Sequence, residues 1–354
     1  MGIKNLHKLL RKYCADAYVT QPLHAYRYKR IAVDASLYMF KYKTSAGERW
    51  MSCFVSLLAA LRKTEIHPVM VFDNGAPVEK QQERAARQEA RTKIQDKAIA
   101  LEDAINTYNL TGEVTEYLRE INKNCIAAKE KKLLKPVKTT TVIDIKILEY
   151  ELRKLQNQSI SVSGEDFKLL RELCTIMNVP IIEAPDEAEK KCSELCIAGA
   201  VYGVMTEDTD VLAYGVPIYL SDVKYHDSQC VELALEDILD GLELTYEQFR
   251  DLCIMCGTDY NKNIYKIGPE KAYALIKQHG SIDEIAKHTT LDVSVLNHNR
   301  SRELLTAVPD GQEIPYCKVP DFKSLDIFLF KNNSKVNIDG LKKCFEQHTL
   351  EFDD

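Results

Sequence analysis

The chain is expected to adopt an α/β fold with a mostly parallel, twisted central sheet flanked by helices, a helical insertion and a helical C-terminal region. Three observations predict it. Five short, nearly continuous apolar runs at 30–33, 69–72, 179–182, 201–205 and 216–220 read as buried strands. Helical patterns at 51–63 and 187–198 lie between them, the alternation of a parallel sheet covered on both faces. The stretch 92–158 has no such run and carries charged residues at helical spacing.

Taken in order, the first strand ends at Asp34 and the second at Asp73, each at the carboxyl end of a parallel strand, where open α/β sheets collect their chemistry. Lys80, Arg84, Arg87 and Arg91 then follow at steps of four, three and four, which predicts one cationic face of a helix beginning beside Asp73. Such a face is commonly just solvated, but its position suits it to hold a phosphate. Within the insertion, residues 119–138 hold seven basic and two acidic side chains, among them Lys129, Lys131, Lys132, Lys135 and Lys138, a surface suited to salt-sensitive backbone contacts. Glu187 and Glu189 follow the third strand and Asp208 and Asp210 the fourth. Residues i and i+2 do not share a helix face, so Glu187 should precede the regular turn, or one of the pair should act through a bound water. From about residue 243 the pattern is helical, with a helix at 246–255, the turn Gly257-Thr258-Asp259-Tyr260, and Gly268-Pro269 opening another helix whose free amides can face a phosphate. The expected divisions are 1–91, 92–165, 166–245, 246–346 and a short tail 347–354.

The 354 residues are 45% hydrophobic and 28% charged, an ordinary globular composition with nothing of a disordered or collagen-like chain. The longest apolar run, 53–61, is well short of the roughly 18 residues of a membrane span, and the start, Met1-Gly2-Ile3-Lys4-Asn5-Leu6, has no secretory apolar region or myristoylation pattern. No membrane association is expected. Eleven cysteines, an odd number scattered along the chain, fit a reducing compartment, and Cys192/Cys196 and Cys253/Cys256 read as core thiols rather than a zinc site. The net charge of −6 argues against nucleic acid at first sight, but it conceals the segregation of basic residues into the insertion and acids into short clusters.

Seven carboxylates, Asp34, Asp73, Glu187, Glu189, Asp208, Asp210 and Asp259, are thus expected at one edge of the sheet. Any one of them could be a helix cap or turn residue. Together they call for cations, because two carboxylates about 5 Å apart repel by roughly 3 kcal/mol at an effective dielectric near 20. Without His or Cys among them, the fitting ions are hard and oxygen-loving, Mg²⁺ or Mn²⁺, two per site. Phe40 and Tyr38 could stack on an unpaired base or belong to the core.

In the order in which they occur, Met1-Gly2-Ile3, Ala32-Val33-Asp34-Ala35-Ser36, Val71-Phe72-Asp73, Ala184-Pro185-Asp186-Glu187-Ala188-Glu189, Thr206-Glu207-Asp208-Thr209-Asp210 and Cys256-Gly257-Thr258-Asp259-Tyr260 with Ile267-Gly268-Pro269 resemble the flap endonucleases of the XPG-like 5′ nuclease family. The resemblance implies a PIN-like nuclease core, a helical arch and a helix-two-turn-helix region. It implies an Mg²⁺-dependent 5′ nuclease of replication and repair that acts on flapped or branched DNA, with the seven acids as metal ligands and Lys80 and Arg87 at the scissile phosphate. DNA contacts are implied at Gly2, Phe40, Arg84, Arg91, Gly257, Lys266, Gly268 and Lys271, and a K⁺ site in the helix-two-turn-helix. Lys266 stands where the family has Gly. The end of the chain only imitates a sliding-clamp box, with its aromatic misplaced, so clamp binding is not expected. A monomer is expected, located in the nucleus or wherever DNA is replicated, such as a viral factory or host cytoplasm for a large DNA virus.

Two other classes compete: a haloacid-dehalogenase-type phosphatase, on the strength of Asp208-Thr209-Asp210-Val211, and a non-catalytic DNA-binding scaffold. Within the nuclease class, 5′–3′ exonuclease and gap endonuclease activities stand beside flap cleavage.

Overall fold

A computed structural model of the protein describes residues 2–75, 77–133 and 143–346. It divides into two compact units. The larger gathers Met1–Tyr42, Glu48–Lys80 and Ser163–Asp354 around the sheet; the smaller combines Lys43–Gly47 with Gln81–Val162.

The sheet has seven strands: β1 Val19–Pro22, β2 Arg30–Asp34, β3 His67–Phe72, β4 Ile181–Glu183, β5 Gly203–Met205, β6 Ile218–Lys224 and β7 Gln229–Ala234. Their order is β1-β7-β6-β5-β2-β3-β4, with β2 to β6 parallel and β7 and β1 antiparallel at one side. All five expected strands are present, and the two additions explain themselves. β1 is four residues long, at the sheet edge, and half exposed; β7, the return strand of a hairpin with β6, buries only Cys230 and Leu233. Neither has both faces covered, so neither shows a continuous apolar run. The expected strand at 179–182 begins two residues later, because Pro180 has no N–H to give a ladder and supplies only its carbonyl, to the Met70 N–H at 2.9 Å.

β2 and β3 form the dry centre: Ile31, Ala32, Val33 and every residue from Val69 to Phe72 are fully buried. From β2 the chain crosses to β3 and β4 on one side, then to β5 and β6 on the other. The reversal makes the β2/β5 boundary the topological switch point, and the carboxyl ends of the strands there are where open α/β sheets bind their ligands.

The insertion is a helical unit with its own core. Helices Gln81–Thr111, Glu116–Leu133 and Ile145–Ser159 close on Leu101, Ala104, Ile105, Leu118 and Leu148. Asn122 is buried and its side-chain oxygen accepts the Asp144 N–H at 3.0 Å, while Asp144 caps the last of these helices through the Ile147 N–H. The unit starts at Gln81 rather than 92, since the arginine-bearing segment is already the first half of the long helix. Lys135 and Lys138 lie outside the described residues, as does the tail 347–354. No described helix is long and apolar enough to cross a membrane.

After β7 the larger unit is helical as expected, with Tyr246–Cys256 and Pro269–His279 framing the turn that carries Asp259. Thr245 opens the first of these with a capping box to Gln248. Cys192, Cys196, Cys253 and Cys256 are all free thiols inside the hydrophobic core.

Candidate active site

Each expected acid arrives on its own structural device. Asp34 ends β2 and caps the next helix, its Oδ1 accepting the Leu37 N–H at 2.9 Å, while its Oδ2 accepts the Thr206 hydroxyl at 3.2 Å. It is a cap and a site acid at once. Asp73 follows β3 and accepts the Ala188 N–H at 2.6 Å, which ties the loop after β3 to the helix Ala188–Ile197. Glu187 sits outside that helix as its N-cap residue, with extended backbone at φ −98° and ψ 139°, and Glu189 lies in the first turn. The i, i+2 spacing is therefore met by the first of the two expected arrangements. After β5, the Asp208 N–H donates to Thr206 Oγ1 at 3.1 Å and the Asp210 N–H donates to Asp208 Oδ1 at 3.0 Å, winding the segment so that both carboxylates turn inward. Glu187, Glu189, Asp208, Asp210 and Asp34 are all buried.

Lys80 stands among these acids. Its ammonium is ion-paired with Glu187, lies 2.9 Å from Glu189 Oε1 and 3.6 Å from Asp259 Oδ2, and is only 8% exposed. Burial alone would lower its pKa, but Glu189, Glu187 and Asp210 outweigh it and hold the amine protonated. This corrects the expected single face of Lys80, Arg84, Arg87 and Arg91. Lys80 closes a 3₁₀ turn, Val78–Lys80, and belongs to the unit of the sheet, whereas the helix of Arg84, Arg87 and Arg91 begins at Gln81 in the helical unit. Attraction to three carboxylates overrides the local periodicity.

The site is charged well beyond what one lysine can offset. Asp34 and Asp210 are pushed well above the usual carboxylate range, in both cases first by burial, then by neighbouring carboxylates, Glu189 and Asp73 for Asp34 and Asp208 for Asp210. Burial and Glu189 push Asp208 up to about 6. Among the described residues no three His, Cys, Asp or Glu side chains are placed to hold a metal ion as they stand; the Lys80 ammonium is the cation that Glu187, Glu189 and Asp259 share instead. The donor set nevertheless fits a hard cation. Asp210 is fully buried and neither of its carboxylate oxygens has a hydrogen-bond partner within the protein. A buried carboxylate with both oxygens unbonded is costly unless a cation meets it.

Around the acids, Gly2 is pressed against the same loop at φ +80°: a Cβ there would collide with Asp208 Oδ1 and come within 2.8 Å of Asp210 Oδ1 and Thr209 Oγ1. The Ile3 N–H donates to Thr209 Oγ1 at 2.9 Å and the Lys4 N–H to the Gly257 carbonyl at 3.1 Å, so the N-terminal segment bridges the Asp208–Asp210 loop and the Asp259 turn. Gly257 has φ +105° and ends the helix before that turn. Gly268 caps the helix Pro269–His279 with open space around it, and Lys266 and Lys271 are exposed nearby. Lys266 has φ +62°, so the left-handed backbone that favours glycine is kept although the residue is lysine. Phe40 is half-buried on the helix Ala35–Ala46, while Tyr38 is 1% exposed and belongs to the core. Sequence reasoning gave no role to Tyr260, whose hydroxyl donates to Glu187 Oε2 at 2.5 Å; only its place beside Asp259 hinted at one.

Comparison with known proteins agrees with this geometry. The XPG N-terminal domain matches residues 1–94 and the XPG I-region residues 178–259. The chain is 30% identical to a protein named probable RAD2-like endonuclease 369L, of Invertebrate iridescent virus 6, over all of this chain and 94% of the relative. It is 31% identical to flap endonuclease 1-A of Oryza sativa subsp. japonica, over 98% of this chain and 86% of the other. In fold it is similar to the catalytic core of Rad2 solved with a DNA substrate, with a TM-score of 0.63 at 18% identity, covering 97% of this chain and 98% of that one.

Proposed function

Because the chain belongs to the XPG-like nuclease family, with the RAD2-like and flap endonucleases as relatives, we propose that it is a structure-specific 5′ nuclease. It cuts DNA phosphodiesters at 5′ flaps or single/double-strand junctions and leaves a 5′-phosphate and a 3′-hydroxyl. The observation that carries the reading is Asp210, buried with two unbonded oxygens at the switch point beside Asp208 and Glu189.

Asp34, Asp73, Glu187 and Glu189 would hold one Mg²⁺ or Mn²⁺, and Asp208, Asp210 and Asp259 the other; two such ions would supply a water nucleophile at neutral pH and charge stabilisation for the leaving oxygen. Lys80 neutralises the scissile phosphate from within the site, and Arg87 is a second basic residue for that phosphate. Gly2, packed on the Asp208–Asp210 loop, lies where DNA enters the site, and Phe40 offers a ring to an unpaired base. Arg84 and Arg91 track the backbone, while Gly257, Lys266, Gly268 and Lys271 grip duplex phosphates around the start of the helix Pro269–His279, a turn that would also hold a K⁺. The protein works as a monomer where DNA is replicated, in the nucleus, a viral factory or host cytoplasm.

The phosphatase reading fares worse. Its nucleophile would sit directly on a strand end, but β5 stops at Met205, Thr206 and Glu207 intervene, and Asp34 and Asp73 would have no task. A scaffold that only binds DNA has no use for so costly a group of carboxylates.

The test uses 5′-labelled double-flap DNA, nicked duplex and single strand with Mg²⁺ or EDTA. Release of the flap at its base, only with metal, is the expected result. Mononucleotides from the nick would make it an exonuclease, and junction binding without any cut would overturn the catalytic reading.

A further inference from the structure

We infer that Tyr260 is a positioning residue whose hydroxyl, backed by Tyr214, fixes the Glu187 carboxylate in the orientation that admits a divalent ion. The inference rests on the metal-dependent reading above and adds to it a residue that acts through Glu187.

Tyr260 Oη donates to Glu187 Oε2 at 2.5 Å, and Tyr214 Oη lies 2.8 Å from Tyr260 Oη. A phenol has one proton, and that of Tyr260 is committed to Glu187, so Tyr214 is the donor in the second bond. The chain of donors runs in one direction, from Tyr214 through Tyr260 to the carboxylate. Both rings are buried, at 2% and 7% exposure, so each hydroxyl depends on a partner within the protein. The base of the relay is fixed by the next ring: the Tyr246 hydroxyl donates to the Ala213 carbonyl at 2.9 Å, and its ring packs on Gly215, where a Cβ would meet it at 2.9 Å.

The ring of Tyr260 has a second task. The Lys80 ammonium lies 5.4 Å from its centroid, within cation–π range, and is ion-paired with the other Glu187 oxygen. One tyrosine thus holds the neutral side of Glu187 and borders the cation on its charged side. Phenylalanine would fill the same volume, so packing alone does not call for a hydroxyl here. Burying two phenols is costly unless each is bonded, and the pair bonds each other and a site acid. Outer partners of a metal-binding carboxylate commonly set affinity by tenfold or more.

The experiment uses the full chain as wild type, Tyr260→Phe and Tyr214→Phe. Mn²⁺ binding without DNA is followed by electron paramagnetic resonance, the Mg²⁺ dependence of flap cleavage is titrated, and melting in EDTA reports folding. Tyr260→Phe should bind Mn²⁺ about tenfold more weakly or worse. Its half-saturating Mg²⁺ should rise by the same factor, with kcat recovering at saturating Mg²⁺. Tyr214→Phe should shift both in the same direction by less. A purely structural role would lower melting and leave Mn²⁺ affinity alone. Wild-type Mn²⁺ affinity in a folded Tyr260→Phe overturns the inference; should that variant not fold, unchanged affinity in Tyr214→Phe overturns it instead. Variants that match a metal-binding, flap-cutting wild type sink this inference only, whereas a wild type that neither binds Mn²⁺ nor cuts sinks the nuclease reading with it.

Discussion

Replacing Lys80 by methionine should strengthen divalent-ion binding while it removes activity. Methionine keeps most of the volume and deletes the charge. In the wild type the ammonium is 2.9 Å from Glu189 and 3.6 Å from Asp259 and is paired with Glu187. At an effective dielectric near 20 the first two contacts are worth about 6 and about 5 kcal/mol before desolvation is subtracted. An incoming divalent ion must take over these carboxylates and also bear the repulsion of the ammonium, about 7 kcal/mol gross at roughly 5 Å on the same scale. Even if solvation and side-chain movement cancel four-fifths of that, about 1.4 kcal/mol remains, a tenfold gain in affinity for Lys80→Met. The same variant without metal should lose about 3 kcal/mol of stability, because three buried or half-buried acids lose their counter-ion. Cleavage should fall by about 100-fold or more as the phosphate loses its cation. Calorimetric Mg²⁺ or Mn²⁺ titration in the absence of DNA, beside urea unfolding in EDTA, reads both effects. Metal affinity that is unchanged or weaker in Lys80→Met would refute the competition between ammonium and ion.

Two other substitutions probe the frame around the site. Lys266→Gly relieves a left-handed lysine at φ +62°; a strain of roughly 1–2 kcal/mol less about 0.5–1 for glycine's unfolded entropy leaves a net gain of about 0.5–1 kcal/mol in urea unfolding. The same change should weaken junction binding and lower its salt slope by about 1, because one phosphate contact goes. Arg302→Leu strands Asp251, which is 3% exposed and takes both Nε at 2.7 Å and Nη2 at 2.6 Å from that arginine while capping the helix Ile282–His288 through the Ile282 N–H at 3.0 Å. A loss of about 3–5 kcal/mol is expected, with most of it recovered in the double variant that also carries Asp251→Leu; a loss under 1 kcal/mol would show that the pair does not hold these helices.

What could be read from the sequence follows from how each feature is encoded. Asp34 and Asp73 were legible because the strands before them are buried on both faces, so their apolar runs end abruptly on an acid. β1 and β7 were not, since an edge strand and a hairpin return are too little buried to carry a continuous apolar run. The spacing of Lys80 to Arg91 satisfied a helix rule that the fold does not use at Lys80, because contacts with Glu187, Glu189 and Asp259, more than a hundred residues away, decide where that side chain goes. Tyr214 and Tyr260 meet across 46 residues, and no local pattern announces such a contact. The left-handed turn at Lys266 shows only against a family that places glycine there; the lysine itself conceals it.

The central claim is that the buried carboxylates at the β2/β5 switch point hold the ions that cut DNA. The most direct measurement is cleavage of a 5′-labelled double-flap DNA in Mg²⁺ by the wild type and by Asp210→Asn, with junction binding measured alongside in Ca²⁺-free buffer. Asn is nearly isosteric and removes the charge of a buried acid whose two oxygens have no hydrogen-bond partner in the protein. The account predicts flap release by the wild type, a loss of about 1,000-fold or more in Asp210→Asn, on the scale of a few kcal/mol of transition-state stabilisation, and junction binding that survives. Cleavage by Asp210→Asn within tenfold of the wild type would contradict it.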